Sequence, residues 1–587
     1  MSNIYDKSSL VLIPSGTKTG KVFSQKPVSG DGDFTFTRAS AATRVNADGN
    51  IEKETQNLLV QSNNFNTNWG AANSSVTGGQ SGYDGSSDAW LLDSSSEGYI
   101  FQYVASGNVG TLSIYAKANS VNNLRLRTFG PSINAEGFFD LANGVVGSST
   151  NLVDLSIESV GGGWYRCSVV YDNAPSLIRI YPSVSSSTSS GTIGSIYIQD
   201  AQLEQGLVAR DYIETTTSAV EGGITDNTPR LDYTDSSCPA LLLEPLRTNL
   251  INHSEYIAAG VTWSAASGMT SENNSVVSPE GVQNATKLIR PNSTGAAWVK
   301  EGNISATIGL NQVVSVFAKS GSNNILNITY YDQTANDLFF NYDLSNGTIY
   351  SAPTSSAYYV DAGIEDYGNG WYRCYAIAEA GRVDPQFQLS VGVNRGGAAN
   401  SYLYVYGASH EKDVNYPTSY IPTYGSSVSR VEETTYVTSA TDIIGQTEGT
   451  MFVEYDQNLI GQSATRRIMA LSNGTTSNRI VVYVSSSNKI DFYVRTSSGQ
   501  LFLGTSANFN TKGMHKIAAA YKNGDYVVYL DGTQIISGAG TAGTIPACNR
   551  IDLGNQMGAN DLFEPVHQAM LFKTRLSNEE LAALTTI

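Results

Sequence analysis

The chain predicts an all-β protein built from tandem jelly-roll β-sandwiches. Two are copies of one module, and the third has a different plan and ends in a short helix. Three observations carry this reading. The 587 residues include 56 Gly and 34 Tyr but only 15% charged side chains, a mixture suited to short strands and many polar turns. Neither repeated module shows long helical periodicity. Finally, Gly162-Gly-Trp-Tyr-Arg-Cys167 returns as Asn369-Gly-Trp-Tyr-Arg-Cys374, 207 positions later.

Other marks of the repeat keep the same order. Asn57-Leu-Leu-Val-Gln-Ser62 before Trp69 matches Asn249-Leu-Ile-Asn-His-Ser254 before Trp263. Leu112-Ser-Ile-Tyr-Ala-Lys117 matches Val314-Ser-Val-Phe-Ala-Lys319, and Phe138-Phe-Asp-Leu-Ala-Asn-Gly144 matches Phe340-Asn-Tyr-Asp-Leu-Ser-Asn-Gly347. Ile196-Tyr-Ile-Gln-Asp-Ala201 with Glu204 matches Leu403-Tyr-Val-Tyr-Gly-Ala408 with Glu411. A repeated module serves display, reach or avidity more often than a single catalytic centre.

In chain order, residues 1–55 read as short strands and turns, including Ser9-Leu-Val-Leu-Ile13 and Asp33-Phe-Thr-Phe-Thr37. This piece is too small to fold easily alone, so it packs on the next part of the chain or on a partner. Module A covers 56–220, a connector covers 221–248, and module B, the second copy, covers 249–432. Residues 433–587 form the third sandwich. There Asp531-Gly532 marks a tight hairpin between Tyr526–Leu530 and Thr533–Ile536. Ser577-Asn-Glu-Glu580 is a capping box opening the last helix.

The segment Phe36-Thr-Arg-Ala-Ser-Ala-Ala-Thr-Arg-Val-Asn-Ala-Asp-Gly49 resembles one common near the start of bacteriophage tail and fibre proteins. So does Pro229-Arg-Leu-Asp-Tyr233, followed by Leu241-Leu-Leu-Glu244 and Arg247-Thr-Asn-Leu250. In that family the two segments sit close together, whereas here module A separates them, as an insertion or duplication would. Modules A and B resemble carbohydrate-binding-module jelly rolls. The third sandwich resembles concanavalin A/laminin-G-like domains through Lys516-Ile-Ala-Ala-Ala-Tyr521 and Tyr529-Leu-Asp-Gly-Thr533. The resemblance implies a virion fibre or spike, on tail or head, that attaches to a bacterial surface glycan. It implies other virion proteins as partners through the N-terminal segment, the third sandwich outermost, and a homotrimer. With no coiled-coil heptads, that trimer would rest on sandwich faces.

Composition and spacing exclude other classes. A net charge of −17 with no cluster of Lys and Arg argues against nucleic acid. No uncharged apolar run is long enough to insert in a membrane. The start lacks a basic region followed by an apolar run, so the expectation is a soluble protein made in a reducing cytoplasm. Cys167, Cys238, Cys374 and Cys548 show neither zinc nor disulfide spacing, and Cys167 and Cys374 read as small buried hydrophobes. His253, His410, His515 and His567 form no metal motif. Laminin-G-like domains often carry calcium, and Asp456, Asp531 and Asp561 are available, but nothing fixes them in one site. No metal and no cofactor is expected.

An enzyme is not expected either. Asp140 and Asp343, like Glu204 and Glu411, recur in both modules and read as shared demands of the fold rather than a glycosidase pair. Carbohydrate binding needs flat aromatic faces and planar polar groups. Trp164 and Trp371 read as core residues. Alternation along Leu124-Arg-Leu-Arg-Thr-Phe129 places Arg125, Arg127 and Phe129 opposite the Leu124/Leu126 face. In the copy, Asn327, Thr329 and Tyr331 lie opposite Leu326 and Ile328. These six are the candidate carbohydrate-binding residues, the arginines favouring an anionic group and the module B set a neutral sugar. The alternatives are a purely architectural decoration or collar protein without glycan binding, and a polysaccharide depolymerase.

Overall fold

The structure is a computed structural model that describes residues 2–234, 236–291, 295–301, 305–331, 337–458, 465–556 and 564–587. It is nearly all β, with a short N-terminal helix Ser2–Lys7 and a C-terminal helix Asn578–Thr585. No described helix is long and apolar enough to cross a membrane.

The third sandwich is built from distant parts of the chain. One of its sheets contains Glu448–Gln457 between Gly513–Lys522 and Val566–Phe572. Strand Ser8–Leu12 pairs with Val566–Phe572, and Arg230–Asp232 and Ala240–Leu242 extend the same sheet. In the facing sheet Phe34–Thr37 pairs with Thr434–Val437, which pairs with Arg550–Leu553. Leu10, Leu12, Phe34, Phe36, Leu241 and Leu243 therefore lie in one core with Met451, Val453, Ile468 and Phe492. This corrects the division at residue 55 and the reading of 221–248 as a connector. The early strands have half of an apolar face each, and that face is satisfied only by the sandwich roughly 400 residues later. Modules A and B are thus two insertions into one sandwich.

Each insertion is closed at its base by a two-strand ladder, Thr55–Asn57 with Val220–Gly222 in A and Arg247–Asn249 with Val428–Arg430 in B. Above it, the back sheet of A has Gly110–Ala118 between Trp164–Tyr171 and Gly194–Gln205, and that of B has Asn311–Ser320 between Trp371–Glu379 and Ser401–Lys412. The front sheets run Asn134–Asp140, Asn123–Phe129, Leu177–Ser183 in A and Leu338–Asp343, Ile325–Tyr331, Gln386–Val391 in B. In A the long strand Ala89–Tyr103 passes from one sheet into the other, pairing first with Gly194–Gln205 and then with Leu177–Ser183. In B that path is broken into Ala285–Arg290 and Trp298–Lys300.

The copies agree down to single hydrogen bonds. Asn57 Nδ2 donates to the carbonyls of Ala201 and Ile213 at 3.0 and 2.8 Å, and Asn249 Nδ2 to those of Ala408 and Ile421 at 3.0 and 2.8 Å. The hydroxyls of Ser62 and Tyr212 bond at 2.6 Å, as do those of Ser254 and Tyr420. Trp69 Nε1 donates to Gln61 O, and Trp263 Nε1 to His253 O. Cys167 and Cys374 are fully buried in the two cores, and burial pushes both thiols up.

The segments that carry the family resemblance meet at the junction of the three sandwiches. Glu433 Oε1 lies 2.8 Å from Arg38 Nη1, and its Oε2 lies 2.5 Å from Arg230 Nη2. Glu244 Oε2 lies 2.8 Å from both Arg230 Nη2 and Arg430 Nη1. Burial alone would raise the Glu244 carboxyl, but Arg430 and Arg230 hold it down to about 2. Arg38 also donates to the carbonyls of Ser40, Thr225 and Thr228, fastening the N-terminal segment to the stretch after module A. A second buried group joins the modules, with Lys53 Nζ at 2.7 Å from Glu255 and 2.5 Å from Glu280, and Arg210 of module A also bonded to Glu280. Removing one partner of such a buried pair is costly, because it strands a charge out of water.

Candidate functional site: the outer face of module A

Three strands build the site. Along Asn123–Phe129, Leu124 and Leu126 are fully buried while Arg125, Arg127 and Phe129 face away from them; Arg125 is nevertheless buried, which corrects its placement on an accessible surface, and Arg127 and Phe129 are half-buried. The neighbour Leu177–Ser183 repeats the alternation, with Ile178 and Ile180 inward and Arg179 and Tyr181 on the other side, Arg179 half-buried and Tyr181 buried beneath Arg125. On Ala89–Tyr103, Ile100 and Gln102 are buried, and Tyr99, Phe101 and Tyr103 share the outer side. Tyr103 is 76% exposed.

Register sets the partners. Arg127 stands directly opposite Arg179, and Arg125 opposite Tyr181. The Arg179 guanidinium carbon lies 4.2 Å from the Tyr99 ring centroid and 4.3 Å from that of Phe129, while Arg127 lies 4.5 Å from Phe129. Arg125 covers Tyr181 at 4.7 Å and Phe138 at 5.4 Å. Tyr99 and Tyr181 rings are 4.8 Å apart, and Phe101 continues the row at 6.1 Å from Tyr99. Phe101 packs over its cross-strand partner Gly70, where a Cβ would fall 2.2 Å from the ring.

The arginines are unevenly compensated. Arg125 pairs with Glu136, lies 3.6 Å from Glu97 and donates to Ser189 Oγ at 2.5 Å. Arg127 Nε is 3.4 Å from Glu136 and lacks hydrogen-bond geometry. Arg179 donates to Tyr181 OH at 3.2 Å and has no carboxylate partner among the described residues. The face therefore offers aromatic surface for the apolar side of a sugar ring, and guanidinium N–H groups for a carboxylate.

The equivalent face of module B is closed. Asn327 and Thr329 are fully buried, correcting their placement on an accessible surface. Asn327 Nδ2 donates to Asn341 Oδ1 at 3.0 Å, Thr329 Oγ1 donates to Asn327 Oδ1 at 2.8 Å, and Asn341 Nδ2 donates to Asn394 Oδ1 at 2.8 Å. The turn Val393–Arg395 caps this amide network, and Arg395, paired with Asp337, reaches over Phe339 at 5.0 Å. Tyr331 is half-buried, 6.0 Å from Arg395.

The other singled-out residues serve the fold. Trp164 packs with Tyr115 and Ala89, and Trp371 with Phe317 and Tyr406, both in small clusters on the outer side of the back sheet. Asp140 Oδ1 accepts the backbone N–H of Ala142, and Asp343 Oδ1 that of Ser345. Glu204 accepts from Arg210 N, and Glu411 from Thr418 N, with burial raising both carboxyls. Asp456 is bonded by His567, and Asp531 by His515, each at 2.6 Å, and Asp561 lies outside the described residues. What the sequence reading missed is Arg179 and the Tyr99/Phe101/Tyr103 row. Both carry the same every-second-residue signal as Arg125/Arg127.

No family model and no curated protein matches the chain. Solved structures similar to it include the Ruminococcus gnavus IT-sialidase CBM40 bound to α2,3 sialyllactose, at 17% identity over 25% of this chain and 87% of that one, with a TM-score of 0.22. Another is the tandem CBM22-1–CBM22-2 domain of Paenibacillus barcinonensis Xyn10C, at 12% identity over 60% of this chain and 97% of that one, with a TM-score of 0.20. Domains LG4-5 of the mouse laminin α1 chain match at 10% identity over 54% of this chain and 90% of that one, with a TM-score of 0.17.

Proposed function

We propose that the chain is a bacteriophage virion fibre or spike subunit that attaches to a bacterial surface glycan without turning it over. The observation that carries the binding role is the outer face of module A, where Arg127, Arg179, Tyr99 and Phe101 are partly accessible and Tyr103 is exposed, whereas the equivalent face of module B is closed. The virion assignment is supported by the resemblance of 36–49 and 229–250 to phage tail and fibre segments. Other virion proteins are its partners through the N-terminal segment. Because Ser8–Leu12 and Phe34–Thr37 are strands of the third sandwich, attachment through that segment makes this sandwich the proximal one and leaves modules A and B to reach the cell. Module B, with its amide network shut, serves as architecture.

A homotrimer would multiply weak sugar contacts through effective concentration, and mass measurement in solution tests it. Binding is tested on intact host cells with and without enzymatic removal of surface polysaccharide. Binding lost with the polysaccharide and lost in Arg179→Gln is the expected outcome. Binding indifferent to both would assign the chain to the architectural class. Release of reducing ends from purified polysaccharide would instead make it a depolymerase.

A further inference from the structure

A second arginine–tyrosine surface stands on the third sandwich, apart from both repeated modules. Strands Arg466–Ser472, Arg479–Val484, Lys489–Thr496 and Gly499–Asn508 lie side by side there. Ile480, Val482, Ile490, Phe492 and Val494 point into the core. The opposite face carries Val481, Tyr493 and Leu503 in one register row, and Arg467, Tyr483 and Asp491 in the next. A cavity of ≈ 190 Å³ opens between these rows.

Its make-up is that of a small binding pocket. Val481 faces outward yet is only 1% exposed, so it is a floor beneath the tyrosines, while Leu503 at the margin is 46% exposed. Arg479 lies 5.1 Å from the Tyr493 ring centroid and donates from Nη1 to Gln556 Oε1 at 3.1 Å. Its Nε is buried without an acceptor, and Arg479 pairs with no carboxylate among the described residues. The Tyr483 hydroxyl is pushed up to about 12 by burial and by the neighbouring Asp491 carboxylate, which holds its proton.

We propose that this cavity is a second saccharide site, taking one carboxylate-bearing sugar ring. The space suits a single ring rather than a chain. The tyrosine faces and Val481 match a ring's apolar side, and the planar fork of Arg479 suits a carboxylate. The site shares no residue with module A, so it stands or falls separately from the attachment reading.

The test is saturation-transfer NMR on the full chain carrying Arg127→Gln and Arg179→Gln, which silences module A. The probes are glucuronate, galacturonate and N-acetylneuraminate, with glucose as the neutral control. Transfer from at least one acidic sugar, absent with glucose, is expected. Adding Arg479→Gln should weaken it by about tenfold or more, and Tyr493→Ala should abolish it. Arg479→Lys, which keeps the charge and loses the fork, should also weaken it. An unchanged thermal midpoint in these variants separates lost binding from lost folding. Transfer from no acidic sugar, equal transfer from glucose, or transfer that survives Arg479→Gln and Arg479→Lys in folded protein overturns the proposal.

Discussion

Arg127 and Arg179 stand in register on adjacent strands and share the ring of Phe129, their guanidinium carbons 4.5 and 4.3 Å from its centroid. Two like charges so placed repel, and Glu136, 3.4 Å from Arg127 and already paired with Arg125, offsets only part of this. An arriving anion relieves the repulsion and gains charge-assisted hydrogen bonds. Arg179→Gln is therefore expected to leave folding stability within about 0.5 kcal/mol. It should weaken binding to an acidic polysaccharide by about 10- to 100-fold. Binding isotherms at low and high salt check this, because the charge contribution is screened. Unchanged affinity with an unchanged salt slope would sink the idea.

The junction makes a stability prediction. Glu433 is the shared anion of Arg38 and Arg230, and all three are buried. Glu433→Ala leaves the buried Arg38 without a carboxylate partner among the described residues and Arg230 with Glu244 alone, so a loss of about 3–5 kcal/mol is expected in chemical denaturation. A loss below about 1 kcal/mol would show that the carboxylate does not bear the arrangement of the sandwiches.

How much of this was legible depends on the range over which each signal acts. The Asp531-Gly532 turn shows in the sequence because both residues take positive φ, 49° and 81°, a local requirement. The Ser577/Glu580 capping box is equally local and is present. Inward and outward faces also follow from alternation, which is why Leu124, Leu126, Leu326 and Ile328 are buried as expected. What alternation cannot show is what lies above an outward face. Asn327 and Thr329 point away from the core and are still buried, because the turn Val393–Arg395 brings Asn394 onto the Asn341 amide. Likewise, nothing in Phe34-Thr-Phe-Thr37 itself names Thr434–Val437 as its partner.

That long-range pairing has a direct consequence. Leu10, Leu12, Phe34 and Phe36 are all buried in the core of the third sandwich. Losing large core side chains costs roughly 2–5 kcal/mol each, and the whole stability of a domain is about 5–15 kcal/mol. A chain lacking residues 1–37 is expected to keep modules A and B folded and to lose the third sandwich. Limited proteolysis should then cut within 438–587 first. Cooperative unfolding of that region at the wild-type midpoint would show that the N-terminal strands are an ornament.

Glu54 supplies a pH prediction whose sign is set by its surroundings. It lines a cavity of ≈ 260 Å³ beside Lys53 and Tyr424, where burial, then Glu221 and Asp226, push its carboxyl up from 4.5 to about 7. A carboxyl raised in the folded state binds its proton more tightly there than in the unfolded chain. Stability is therefore lost as pH rises from about 4.5 to about 7, and the full penalty persists above that. Glu54→Gln removes the penalty. Because the side chain is partly open to solvent, the gain is expected to be only about 1–2 kcal/mol near pH 8. It should shrink to nothing near pH 4, where both forms are neutral. Urea denaturation of the two proteins at those two pH values measures the difference, and equal stability near pH 8 would place Glu54 in water rather than in the cavity wall.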